Sequence, residues 1–174
     1  MGLNYPHVSM LIEKIALCLP IGNKLYVKEH PSLFPHKSIN FYKRIKSIPN
    51  VKLVGPFENN FKLIKKSRGV LTMGATTGWE AFIIGKPVLI FCNVWYRNLE
   101  GIFKVGTEFE LAKILQEIES LNLPNSDYKK KVIYTLFKIS FKAEHYPLNR
   151  MTSDKNIERV ANRISKYVLE NNLN

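Results

Sequence analysis

The chain has 174 residues, of which 45% are hydrophobic and 23% are charged. This length suits one domain with a sizeable core, and the composition is that of a globular protein rather than a disordered one. No apolar run approaches the roughly 20 residues that a membrane span requires, and the first residues lack the basic-then-apolar pattern of a signal peptide. Disordered, fibrous and membrane-spanning classes are therefore excluded at this stage.

The net charge of +12 is unevenly spread along the chain. Residues 1–74 hold twelve Lys and Arg against three acids, whereas residues 75–174 hold fourteen against eleven. Such a basic half favours an anionic partner: nucleic acid, a phosphorylated small molecule or an anionic membrane surface. A solvated basic surface with no partner accounts for the charge equally well.

Cysteine and histidine positions give no sign of a metal site. Cys18 and Cys92 both lie in apolar stretches without metal-ligand spacing, and we expect buried thiols in a reducing, cytoplasmic compartment. His7, His36 and His145 likewise have no partner at ligand spacing, so the sequence predicts neither a metal nor another cofactor.

Short β-branched runs alternate with segments of helical periodicity along the chain. Strands are predicted at 24–30, 51–55, 69–74, 87–92 and 102–106. Helices are predicted from Val8 to about residue 20, then at 38–47, 59–67, 77–84, 127–142 and 153–171, and one begins at a capping box over 107–110. The alternation predicts an α/β fold: a Rossmann-like parallel sheet with helices on both faces.

The domain prediction is a single Rossmann-like domain over residues 1–174. A linker is compatible with residues 122–127, which read NLPNSD. The helices of 127–174 are expected to pack back on the same domain.

The first candidate site is Lys28-Glu29-His30-Pro31, which follows the first predicted strand. Ligands of open α/β sheets bind beyond the carboxyl ends of the strands, and a histidine there can donate to a phosphate oxygen. Pro31 biases His30 away from helical geometry and holds the loop open. A His-Pro turn that only ends a strand is the alternative.

The second candidate is the stretch GATTGWE, residues 74–80. Gly74 and Gly78 permit close backbone approach, and a helix N-terminus offers unpaired N–H groups to an anion. Thr76 and Thr77 add two hydroxyl groups at the same point. The spacing matches neither a P-loop nor the dinucleotide-binding glycine motif.

The same stretch has a purely structural interpretation. Thr77-Gly78-Trp79-Glu80 fits the S/T-x-x-E capping box, in which Thr77 and Glu80 satisfy each other's backbone N–H groups. In that arrangement Glu80 is not available to ribose hydroxyls, whereas Thr76 still faces a ligand. Local sequence leaves the two interpretations of Glu80 open.

The third candidate, Trp95-Tyr96-Arg97-Asn98, follows the fourth predicted strand. Aromatic rings beside an arginine can stack a base or pack against a sugar. A hydrophobic lid with a surface arginine is the alternative. The basic triplet Lys129-Lys130-Lys131 is predicted to be a solvated helix face.

Together, the stretches LYVKEHPS, VKLVGP and GVLTMGATTGWEAFIIGKPVLIFCNVWY resemble the capsule polysaccharide biosynthesis family in order and spacing. That family includes Kdo-transferase-like glycosyltransferases of the GT-B type, and the resemblance covers roughly residues 8–121. It implies that His30 with Pro31, and Thr76 with Thr77, bind the phosphate of a CMP-sugar donor. It also implies that Glu80 holds the ribose of the nucleotide.

A departure from the family pattern accompanies this resemblance. GT-B enzymes place their active site between two Rossmann-like domains, and this chain resembles only the donor-binding, C-terminal half. We therefore expect a nucleotide-sugar donor and a glycan or glycolipid acceptor, and the sequence assigns no catalytic base. Three explanations of the missing half stay open: the chain is a fragment, it works with an N-terminal-half partner chain, or it is a degenerate remnant. Peripheral contact with the inner membrane is compatible with the basic charge, and no nucleic-acid partner is expected.

Two alternatives to the glycosyltransferase remain at this stage. One is the donor domain of a CDP-glycerol-type glycerophosphotransferase, which resembles the same half. The other is a non-catalytic basic binding domain, although the sequence has no known nucleic-acid motif.

Overall fold

The computed structural model describes residues 8–31, 36–140 and 153–170. The chain forms two compact units, Met1–Pro124 and Asn125–Asn174. Their boundary lies within the predicted 122–127 linker. The packing of the C-terminal helices on the rest of the chain stays a prediction.

Parallel strands alternate with helices through the first unit. The strands are β1 (Leu25–Lys28), β2 (Val51–Val54), β3 (Val70–Thr72), β4 (Val88–Ile90) and β5 (Ile102–Lys104). The helices are α1 (Val8–Cys18), α2 (Ile39–Lys46), α3 (Asn60–Lys66), α4 (Thr76–Ile84) and α5 (Glu108–Gln116). Each lies where the sequence predicts it, and the Rossmann-like α/β class is confirmed.

All the strand pairs of the described residues are parallel, but they form two separate hydrogen-bonded ladders. β1 pairs with β2, and β4 lies between β3 and β5. Val88, Leu89 and Ile90 of β4 are all buried, as expected of a parallel strand that is covered on both faces. The continuous apolar run at 87–92 therefore marks the centre of the three-stranded ladder.

The two ladders share one hydrophobic core. Leu25 and Val51 from the first ladder cluster with Leu89 of β4 and with Phe91, which follows β4, and with side chains of α1 and α5. In β1 and β2, burial of Leu25 and Val51 fixes which face points inward, because a slip of one residue would reverse it. The carboxyl ends of the strands are held at defined positions as a result.

The predicted capping box at the start of α5 is confirmed. Thr107 Oγ1 accepts from the N–H of Glu110 at 3.1 Å, and Glu110 Oε2 accepts from the N–H of Thr107 at 2.9 Å. The backbone N–H groups of Gly106 and Thr107 lower the pKa of Glu110. Because this pKa is lowered on folding, its stabilising effect is present at neutral pH and is lost as pH falls.

The second unit contains α6 (Ser126–Ile139) and α7 (Asp154–Glu170). Lys130 and Lys131 of α6 are exposed, as predicted for a solvated face, and Lys129 is half-buried. Within the described ranges, no helix combines the length and apolar character needed to cross a membrane.

Candidate functional site

A tight turn joins β3 to α4 and is held by a residue that sequence reasoning missed. Thr72, the buried last residue of β3, accepts hydrogen bonds at its Oγ1 from the N–H groups of Gly74 (3.2 Å) and Ala75 (3.1 Å). Gly74 has a φ of +117°, a conformation that L side chains rarely adopt. The turn therefore delivers the chain to the start of α4 without any help from Thr77.

The capping box predicted for Thr77 and Glu80 is wrong. Helix α4 begins at Thr76, its N-cap is Ala75, and no side chain caps it. Thr77 and Glu80 lie inside the helix, and Thr77 is two positions past the N-cap, so the pair cannot form the box. The structural alternative to ligand binding is thus removed for both residues.

The first turn of α4 is consequently open. The N–H of Gly78 donates to Ala75 O at 3.2 Å, whereas those of Thr76 and Thr77 have no acceptor among the described residues. Thr76 is exposed and Thr77 is half-buried. Unpaired N–H groups at a helix N-terminus carry partial positive charge and favour an anion.

The loop after β4 is fastened to this turn. Cys92 Sγ donates to Met73 O at 2.8 Å, and the hydroxyl of Tyr96 donates to Ala75 O at 2.8 Å. Tyr96 is only 2% exposed, and burial together with the nearby Cys92 raises its pKa. The phenol therefore stays protonated and keeps its role as a donor.

The two glycines of the GATTG stretch allow this close contact. A Cβ on Gly74 would lie 2.9 Å from Cys92 Sγ. A Cβ on Gly78 would collide with the Tyr96 hydroxyl and lie 3.0 Å from Thr72 Cγ2. The close approach predicted for both glycines is made by the chain's own loop, and a ligand contact at Gly78 stays a prediction.

The prediction that both cysteines are buried is wrong. Cys92 is exposed and Cys18 is half-buried, and both are free thiols. Cys92 lies two residues past the end of β4, where the buried run of the strand has given way to the loop. Burial raises the pKa of the Cys18 thiol.

Glu80 is the one residue of the described chain with a buried side-chain oxygen that lacks a hydrogen-bond partner. Its Oε2 atom is shielded from solvent and unpaired, although the residue as a whole is half-buried. Buried carboxyl oxygens normally have a partner, because an unsatisfied one costs about 1–3 kcal/mol. This oxygen belongs to a residue one turn along α4 from Thr76, and its contact with a ribose hydroxyl stays a prediction.

The aromatic residues after β4 divide into two roles. Tyr96 is structural, whereas Trp95 is 64% exposed and packs on Trp79 of α4, with ring centroids 4.9 Å apart. Arg97 and Asn98 are also exposed, and Asn98 Oδ1 accepts from Lys104 Nζ at 2.9 Å.

The Lys28–Pro31 stretch leaves β1, which belongs to the other ladder. Lys28 is the half-buried last residue of β1, His30 is exposed, and Pro31 is half-buried. Glu29 accepts from the hydroxyl of Tyr42 in α2 at 2.5 Å, and this bond raises the pKa of Tyr42 to about 12. Glu29 thus ties the loop to α2.

The structure therefore brings together two of the three predicted stretches. The turn and helix start at 73–79 and the loop at 91–99 share two hydrogen bonds and an aromatic contact. The approach of His30 to Thr76 and Thr77 stays a prediction.

A pair of threonine substitutions distinguishes a cap from an open helix start. We expect Thr107→Ala to lower the free energy of unfolding by about 1 kcal/mol, since it removes a cap. Thr77→Ala should leave it unchanged or raise it slightly, because alanine favours the helix interior. Urea denaturation of both variants measures the free energy of unfolding. If Thr77→Ala lowered it as much as Thr107→Ala does, Thr77 would be a cap after all.

Parallel strands alternating with helices, together with an open helix start at a strand's carboxyl end, define a Rossmann-like α/β protein with a candidate anion site. The chain belongs to the capsule polysaccharide biosynthesis family: the sequence model described as "Capsule polysaccharide biosynthesis protein" matches residues 7–141. This membership confirms the resemblance and indicates a role in surface polysaccharide synthesis. No curated protein and no solved structure matches the chain.

Proposed function

We propose that this chain is the nucleotide-sugar-binding domain of a GT-B-type glycosyltransferase, with a CMP-linked sugar as donor. The observation that carries the proposal is the open first turn of α4. There, the unpaired N–H groups of Thr76 and Thr77 lie one helical turn from the unpaired Oε2 of Glu80. A nucleotide offers a phosphate to the two N–H groups and a ribose hydroxyl to the Glu80 oxygen.

The proposed chemistry uses these groups to stabilise the leaving phosphate. As the bond between the sugar carbon and the phosphate oxygen breaks, its electron pair stays on that oxygen. The N–H groups at the start of α4, the threonine hydroxyls and His30 interact with the growing negative charge. Pro31 and Lys28 place the histidine loop and add positive charge beside it. The acceptor's proton goes to a base that we expect from a partner N-terminal half.

The anion preference agrees with the charge distribution of the chain. The first 74 residues hold the larger excess of positive charge, and they include β3, which leads directly into the start of α4. A positive field of this kind concentrates an anionic donor before it binds. It also suits an acceptor carried on an anionic lipid surface.

Thermal denaturation with added ligands tests the proposal. A ligand that binds only the folded state stabilises it by about 2.7 kcal/mol at a hundred times its Kd. We expect CMP to raise the melting temperature, and the rise to disappear in His30→Ala and Thr77→Ala. The matched control is Thr107→Ala, which removes the threonine that caps α5. In this variant CMP should still raise the melting temperature.

The same measurement separates the competing functions. Stabilisation by CDP or UDP rather than CMP would change the donor class, and CDP-glycerol would then be the next ligand to test. Stabilisation by a short oligonucleotide alone would overturn the proposal and support a basic binding domain.

A further inference from the structure

An exposed tryptophan stands beside the proposed nucleotide site. Trp95 lies in the loop after β4 and is 64% exposed, although large apolar side chains gain free energy by burial. Its neighbours in the same loop, Val94 and Tyr96, are buried. The exposure of Trp95 therefore accompanies a well-packed loop rather than a loose one.

The indole of Trp95 is supported on two sides. It packs on Trp79 with ring centroids 4.9 Å apart and an interplanar angle of 49°, and on Tyr96 with centroids 5.3 Å apart in an edge-to-face arrangement. Trp79 in turn stacks on the buried Phe82 at 5.2 Å. Because Tyr96 is hydrogen-bonded to Ala75, this aromatic cluster is attached directly to the start of α4.

The position of the cluster along α4 indicates which part of a nucleotide it meets. Trp79 and Glu80 lie three and four residues after Thr76, and such residues are neighbours on one helix face. If the phosphate binds at Thr76 and the ribose at Glu80, the base continues in the direction away from the N-terminus. The activated sugar lies on the other side of the phosphate.

We propose that Trp95 is a stacking platform for the nucleobase of the donor. This inference rests on the proposed function, since it assumes the phosphate at Thr76 and Thr77. Stacking on an aromatic ring is tolerant of base identity, because every base has a π-face. Trp95 therefore contributes affinity for pyrimidine nucleotides without selecting between cytosine and uracil.

Titration calorimetry with CMP, UMP and ribose 5-phosphate tests the platform. Stacking of a base on an aromatic ring contributes substantially to nucleotide affinity. We therefore expect Trp95→Ala to weaken the binding of CMP and of UMP by about tenfold each. Affinity for ribose 5-phosphate, which has no base, should stay unchanged. Trp95→Phe should recover most of the loss, and Tyr26→Ala, at a similarly exposed aromatic in the middle of β1, should bind CMP as the wild type does.

Tryptophan fluorescence provides a second readout that does not depend on the stability of Trp95→Ala. In Trp79→Phe the only remaining tryptophan is Trp95. We expect CMP to quench its emission and ribose 5-phosphate to leave it unchanged.

The outcomes separate this inference from the proposed function. Two results would overturn the stacking role of Trp95 and leave the proposed function standing. One is CMP binding that requires Thr77 but is unaffected in Trp95→Ala. The other is a loss of affinity in Trp95→Ala that is equal for CMP and ribose 5-phosphate. Failure of the wild-type chain to bind CMP would overturn both.

Discussion

Gly78→Ala is expected to lower the free energy of unfolding by about 2 kcal/mol, within the range of overpacking substitutions. The new Cβ would collide with the Tyr96 hydroxyl and crowd Thr72 Cγ2. Either Tyr96 moves and breaks its bond to Ala75, or the first turn of α4 shifts. Both changes displace the N–H groups of Thr76 and Thr77, so the stabilisation by CMP should also disappear.

The sign of the stability change in Gly78→Ala distinguishes a packing collision from helix propensity. Alanine is favoured over glycine by about 1 kcal/mol in a helix interior, so propensity alone predicts that Gly78→Ala stabilises α4. Gly55→Ala, in the loop after β2, is the control for packing alone, because a Cβ there meets only Glu58 Cγ at an ordinary 3.6 Å.

A double substitution identifies the collision as the cause. Removing the hydroxyl in Tyr96→Phe makes room for the alanine methyl group, so the combined loss in Gly78→Ala/Tyr96→Phe should be smaller than the sum of the single losses. Urea denaturation of the four proteins measures this coupling. Additive losses, or a Gly78→Ala protein as stable as the wild type, would show that the packing of the loop on α4 is not as described.

Glu80→Met is expected to change stability and binding in opposite directions. It replaces a half-buried carboxylate that has an unpaired oxygen with an apolar chain of similar length, and the free energy of unfolding should rise by about 1 kcal/mol. Affinity for CMP should fall roughly tenfold to a hundredfold, the range for hydrogen bonds that involve a charged group.

Comparison of CMP with 2′-deoxy-CMP assigns that loss to the ribose. The wild type should prefer CMP, and Glu80→Met should bind the two nucleotides equally. Glu117→Met, at an exposed glutamate that directly follows α5, should retain the preference. A Glu80→Met protein that is less stable than the wild type and still prefers CMP would mean that Glu80 supports the fold rather than the ligand.

The elements of the fold were predictable because they depend on local patterns. Apolar runs bounded by Gly and Pro located the five strands, and Thr107 with Glu110 located the start of α5. The division into two ladders was not predictable, because strand pairing depends on contacts far apart in sequence.

The candidate site residues were chosen from the sequence, but the way in which α4 begins beside them was not predictable. The same T-x-x-E pattern occurs at Thr107 and at Thr77, yet only the first is a cap. The difference arises at Thr72, whose hydroxyl holds the turn, so that α4 begins at Thr76, two residues before the Gly78 start that a cap at Thr77 would require. A loop has no periodicity that would show which of its side chains are buried. The sequence therefore could not predict that Tyr96 is buried and Trp95 exposed.

The stretch GATTG is thus an uncapped helix start, packed by its glycines and left open at its threonines. A crystal structure of the chain with CMP tests this account most directly. We predict a phosphate oxygen within hydrogen-bond distance of the backbone N atoms of Thr76 and Thr77, with the ribose at Glu80. A phosphate bound elsewhere, with water at the first turn of α4, would contradict it.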